Sequence, residues 1–242
     1  MTPEAVISAT AGPTGNVGAA FYFHPDTLAK GKELGLDGMR FYILGRGGVL
    51  GDAESDVVAS AFGYFSPALI AKLWNTAKET LDPREAGRVY HECCANVGRA
   101  KLADVEGLEA YCDAAEAVVA AAHPAALALF AGIAAEPRAE DLPGRAAQLA
   151  AVLRELRGSA HLLAVLASGL DPAVAHAIKR PEMVAAFGYE SAPESSETDA
   201  AKLEAAEALT DQLLLPAYSQ LSEEQGQALV DGINAMAAAY GV

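Results

Sequence analysis

What the chain has least of is β-strand signal. Across 242 residues no run of β-branched side chains alternates with polar ones, which excludes a half-buried sheet. Apolar positions recur instead at i, i+3, i+4 and i+7. Cysteine is scarce too. Cys93, Cys94 and Cys112 form no CxxC pair, and adjacent helical residues diverge by about 100°, so Cys93 and Cys94 cannot share one tetrahedral metal site. They read as buried free thiols of a reducing compartment. Basic charge is short: 17 Lys and Arg face 32 Asp and Glu, for a net −15. No basic face is visible, so neither nucleic acid nor an anionic membrane is an expected partner. Long hydrophobic runs are missing as well. The longest, Ala117 to Ala122, ends at His123–Pro124 and falls short of a membrane span. The opening MTPEAVISATAGPTG has no basic region or apolar core of a signal peptide. A cytoplasmic location is the expectation.

What is present is alanine, leucine, valine and glutamate at helical spacing, and the fold class expected is all-α. Start signals recur at Pro25–Asp26, Asp52, Ser66–Pro67, Asp82–Pro83, His123–Pro124, Asp171–Pro172 and Ser222; proline in a first helical turn costs nothing, because its missing N–H would be unpaired there anyway. Helices are predicted at about 3–10, 16–23, 26–35, 38–46, 53–64, 67–79, 83–102, 105–122, 124–134, 143–169, 172–179, 181–187, 198–218 and 222–239. The Ser-, Glu- and Pro-rich stretch 188–199 is the one break in composition and reads as a flexible linker. It divides a helical core with a candidate pocket, residues 1–187, from a C-terminal helical pair, residues 200–242. That pair docks either on the core or on a second subunit, so a homodimer is one of two arrangements it allows.

Three segments depart from this monotony. In LDGMRFYILGRGGVLGD (36–52), Met39, Tyr42, Ile43 and Arg46 share a helical face and Arg40 lies elsewhere. Gly45–Arg46–Gly47–Gly48 then releases the chain. Arg46 either caps a turn on a surface carboxylate or anchors an acidic ligand. Phe21, Tyr22, Phe23, Phe62, Tyr64 and Phe65 form two aromatic clusters that run into Pro-initiated helices. Rings this dense build core, while buried tyrosine hydroxyls add polar points to an apolar wall, as in small-molecule pockets. LRELRGSAH (153–161) places Arg154, Arg157 and His161 on one helical face. His161 is either a satisfied core imidazole or a ligand-facing base or metal ligand. His91–Glu92–Cys93–Cys94 looks metal-like, but position 95 is Ala and HExxH is not formed. There is no GxSxG, P-loop or Rossmann turn.

Taken together the segments resemble an actinobacterial all-helical family often described as helix-turn-helix-like. The matching positions are Tyr42, Gly45, Arg46, Leu50 and Gly51; Phe62, Gly63, Phe65 and Pro67; and Leu153, Arg154, Glu155, Arg157, Gly158 and His161. The chain departs from the pattern at Gly47–Gly48–Val49, where the family has Ala-Ala-Pro, at Ser159 in place of Asp, and at Gly18 in place of His. The resemblance implies a winged-helix-like segment after the His161 helix, and here that region shortens to RPEMVAAFGYESAPESSETD without a basic recognition helix.

These readings place first a helical protein enclosing a small, apolar or aromatic and possibly anionic ligand. Its candidate contacts are Tyr22, Arg40, Tyr42, Arg46, Tyr64, Phe65, Arg157 and His161, with His161 as the one candidate acid or base. No cofactor is identified. A haem- or metal-dependent enzyme or sensor using His161 or His91 is the alternative. A DNA-binding regulator comes last.

Overall fold

The computed structural model describes all 242 residues, and they form twelve α-helices and two short 3-10 turns without a strand. The helices are α1 Pro3–Ala19, α2 Pro25–Glu33, α3 Gly38–Gly47, α4 Ser55–Phe62, α5 Pro67–Lys78, α6 Pro83–Leu102, α7 Leu108–Ala121, α8 Ala128–Ala134, α9 Leu142–Ala167, α10 Pro172–Lys179, α11 Glu197–Tyr218 and α12 Glu223–Tyr240. The all-α expectation holds.

The axis of the molecule is α9. Its 26 residues pack against α1, α6, α7, α8 and α11. A helix surrounded on most sides must be apolar on most sides, and α9 buries Ala146, Ala147, Leu149, Ala150, Val152, Leu153 and Leu156. Its small residues allow close approach. A Cβ on Gly18 of α1 would sit 2.6 Å from the Ala150 carbonyl oxygen of α9, so any side chain there would force these two helices apart. The C-terminal pair lies on the same body, with α11 against α9, α1 and α7, and α12 against α1 and α7.

Helix starts follow the capping chemistry. Asp37, Asp82, Asp141 and Asp171 each accept a backbone N–H of the first turn, and Ser196 and Ser222 complete capping boxes with Asp199 and Gln225. Four sequence expectations change. The predicted break after residue 10 is absent, because α1 runs through Pro13 with Val6, Ile7, Thr10, Thr14 and Val17 buried; packing overrides local propensity. Residues 20–23 are consequently turn. His123–Pro124 does not start a helix: the His123 ring accepts the Ala125 N–H, Ala126 adopts φ 64°, and α8 begins at Ala128. Only residues 181–183 of the predicted helix 181–187 are helical, as a 3-10 turn.

Candidate functional site

The sequence-selected side chains form two polar clusters that share no hydrogen-bond partner. The first is centred on Glu155, whose carboxylate is 2% exposed. It accepts from Tyr22 Oη at 2.8 Å, Arg46 Nε and Nη2 at 2.8 and 2.9 Å, and Arg154 Nη1 at 2.9 Å. Arg46 also donates to Tyr42 Oη at 3.0 Å, and its guanidinium lies 4.5 Å from the centre of the Phe62 ring. Burial alone would raise the Glu155 pKa, but the charges and hydrogen bonds of Arg46, with Arg154 and Tyr22, pull it down to about 2. Burial pushes the Tyr22 phenol well above its ordinary value. Arg46 is therefore spent on an internal carboxylate. The cavity beside it, lined by Tyr22, Arg46, Tyr90, His91 and Glu155 among others, measures about 20 Å³. That is room for one water-sized species, against the hundreds of Å³ of a ligand pocket.

The second cluster joins α9, α10 and α11. Arg157 Nη1 donates to Asp211 at 2.7 Å and its Nη2 to Glu207 at 3.3 Å. Glu207 also accepts from Lys179 of α10, and its Oε1 lies 3.8 Å from His161 Nε2. The other ring nitrogen of His161 meets Thr210 Oγ1 at 3.0 Å. Burial lowers the His161 pKa, helped by the charges of Lys179 and Arg157 and opposed by Glu207. The Tyr64 ring lies 6.3 Å from both His161 and His176, with its buried hydroxyl unpartnered. Phe65 stacks at 3.9 Å on Phe187, which stacks at 3.7 Å on His176. Arg40 lies apart from both clusters, bonded to the capping carboxylate of Asp37 at 2.7 Å. Neither His91, whose buried ring nitrogens lack partners, nor His161 belongs to any group of three His, Cys, Asp or Glu side chains able to hold a metal ion.

Sequence reasoning missed Glu155, Lys179, Glu207, Thr210 and Asp211. Glu155 had a readable signal: it falls on the helical stripe of Gln148 and Val152, both buried, and an acid on a buried stripe needs a cation. Glu207 and Asp211 resemble every other acid on α11, and nothing local marks them.

The second cluster sits on a distinctive piece of backbone. Helix α9 ends in a Schellman-type cap: Gly169 takes φ 68°, and the Leu170 N–H donates to Val165 O at 3.1 Å. Leu170, 2% exposed, plugs the corner. Asp171 then caps α10, accepting the Ala173 N–H at 2.7 Å, and Pro172 opens the new helix. The two helices bend by 115° across residues 168–171. Ala164, Val165, Leu170, Ala175, Leu203 and Ala206 make a small apolar cluster of their own, separate from the main core. Two helices meeting at such an angle over a short glycine-containing turn have the geometry of a helix-turn-helix corner.

No curated protein and no solved structure matches the chain. The sequence profile of a helix-turn-helix family matches residues 9–235. This overturns the leading expectation of a small-molecule binder, with its haem or metal alternative, and the expectation that nucleic acid is not a partner. Net charge misled the second of these, because it averages over a whole surface and says nothing of a local patch. With the match spanning nearly the full length and the α9–α10 corner inside it, the chain belongs to this helix-turn-helix family.

Proposed function

We propose that the protein binds duplex DNA by presenting α10 to the major groove. The observation that carries this reading is the 115° corner between α9 and α10 over the turn at Gly169, in a chain matched by a helix-turn-helix family. Eight residues of helix rise about 12 Å, comparable to the width of the groove. The outward-facing residues suit a groove floor and its phosphate rim. Ala173 in the first turn offers a methyl group of the kind that contacts thymine, while Val174 packs inward on the small apolar cluster, and exposed Lys179 and Arg180 follow with two cations. The net charge of −15 confines productive contact to this corner and keeps non-specific association weak.

Selection from a random duplex pool at low salt, followed by fluorescence anisotropy, tests the reading. An enriched sequence is expected. Neutralising one or two phosphates gives a slope of log K against log salt between about −0.9 and −1.8. The double variant Lys179→Ala/Arg180→Ala should flatten that slope. Absence of any enriched sequence, with no binding at low salt, would overturn the assignment.

A further inference from the structure

We propose that Glu207, His161 and Lys179 form a proton-operated latch that withholds Lys179 from DNA until His161 is protonated, an inference that rests on α10 being the reading helix. The hydrogen-bond directions set it up. Thr210 Oγ1 donates its one hydrogen to the Ala206 carbonyl at 2.7 Å, so towards His161 Nδ1, 3.0 Å away, it acts as acceptor. Nδ1 therefore carries the proton in the neutral ring, and the lone pair of Nε2 faces Glu207 Oε1 at 3.8 Å. In this state Glu207 holds Lys179 of α10. The groups around the ring are Arg157 on its own helix, Lys179 on α10, Glu207, Thr210 and Asp211 on α11, and Tyr64 between α4 and α5.

Taking up one proton from solvent turns Nε2 into an N–H donor aimed at Glu207. Three cations, Arg157, His161 and Lys179, then compete for two carboxylates. Arg157 is 22% exposed and bonds both Glu207 and Asp211, and the His161 side chain is 15% exposed and held by Thr210. Lys179 is 48% exposed on a flexible stem. It is the cation with water to move into, and it leaves. Its ammonium, at the last turn of α10, becomes free to meet a phosphate.

The latch is read in the free protein and then on DNA. In NMR titration of the whole chain, neutral His161 should show the Nδ1–H tautomer, and the Lys179 Cε and Nζ resonances should shift along the His161 titration curve. On the duplex enriched from the random pool, the salt slope should steepen from about −0.9 at pH 8 to about −1.8 at a pH below the His161 titration midpoint read by NMR. Glu207→Gln should show the steeper slope at both pH values and His161→Gln the shallower slope at both, with thermal melts confirming that each variant is folded. Lys179 resonances that ignore the His161 titration overturn the latch whatever DNA does. So does a salt slope in Glu207→Gln that matches the unmodified protein at both pH values. Coupled resonances with no duplex bound at any pH leave the latch standing and overturn the DNA assignment instead.

Discussion

Replacing Glu155 with glutamine keeps the shape of the side chain and deletes the charge at the centre of the first cluster. Glutamine returns one oxygen and an amide donor, so the Arg46 Nε and Nη2 hydrogens, now 2.8 and 2.9 Å from carboxylate oxygens, cannot both be accepted. Arg46, 13% exposed, is left charged without its counterion; breaking a buried pair from one side costs about 3–5 kcal/mol. The depressed carboxyl pKa expresses the same interaction as a pH dependence. Holding a carboxyl at about 2 rather than 4.5 corresponds to roughly 3 kcal/mol. The folded-state pKa is depressed, so this stabilisation is complete above pH 4.5 and disappears as the pH falls through about 2. Thermal and urea unfolding, followed by the fluorescence of Trp74, the single tryptophan and fully buried, measure both effects. Glu155→Gln should lower the melting temperature by about 6–20 °C at neutral pH and flatten the acid limb of the stability curve below pH 4.5. A loss under about 1 kcal/mol, or an acid limb identical to that of the unmodified protein, would refute the ion-pair reasoning.

His91 titrates in a different window. Burial and then the charge of Arg138 lower its pKa from 6.5 to about 4, so its contribution is present above pH 6.5 and is lost as the pH falls through about 4. His91→Leu should remove that limb from the urea stability profile, and with no unpartnered ring nitrogen left inside it should be the more stable protein at pH 5. Gly169→Ala meets no atom within 4 Å, so its cost is that of the left-handed backbone alone, about 1–2 kcal/mol; DNA affinity should fall while α9 keeps its helical circular dichroism. Gly18→Ala drives a methyl to 2.6 Å from the Ala150 carbonyl and should destabilise by about 1–3 kcal/mol in the same unfolding assay.

Much of the fold is readable one turn at a time. Asp82–Pro83, Ser66–Pro67, Asp171–Pro172 and Ser222 each begin a helix where local chemistry says they should. Pro13 and His123–Pro124 mislead for opposite reasons. At the first, the partners of α1 hold a helix together across a breaker; at the second, the His123 ring bonded to the Ala125 N–H and the positive φ of Ala126 keep the segment a turn. The polar clusters are legible only by half. Tyr22, Tyr42 and Arg46 are marked by aromatic and glycine context, and they do meet, but the acid that gathers them, Glu155, lies off the face that the α9 arginines share. Arg157 and His161 stand out as polar residues in an apolar helix, yet their partners sit about 50 residues downstream on a helix full of similar acids. The α9–α10 corner is hidden by composition. α10 is mostly alanine and branched aliphatics, and its identity lies in the angle at Gly169, which no residue count encodes.

Forty-nine buried side chains knit the main body together, whereas a separate cluster of six, with the stack of His176 on Phe187 and Phe65, seals the corner that carries α10. Unequal cores of this kind give unequal opening free energies. Residues 172–179 are expected to open more readily than the scaffold, and their amides should exchange with deuterium sooner than those in the middle of α9. On the proposed DNA-binding reading, a head so loosely sewn to its body adjusts to an irregular duplex without melting its scaffold.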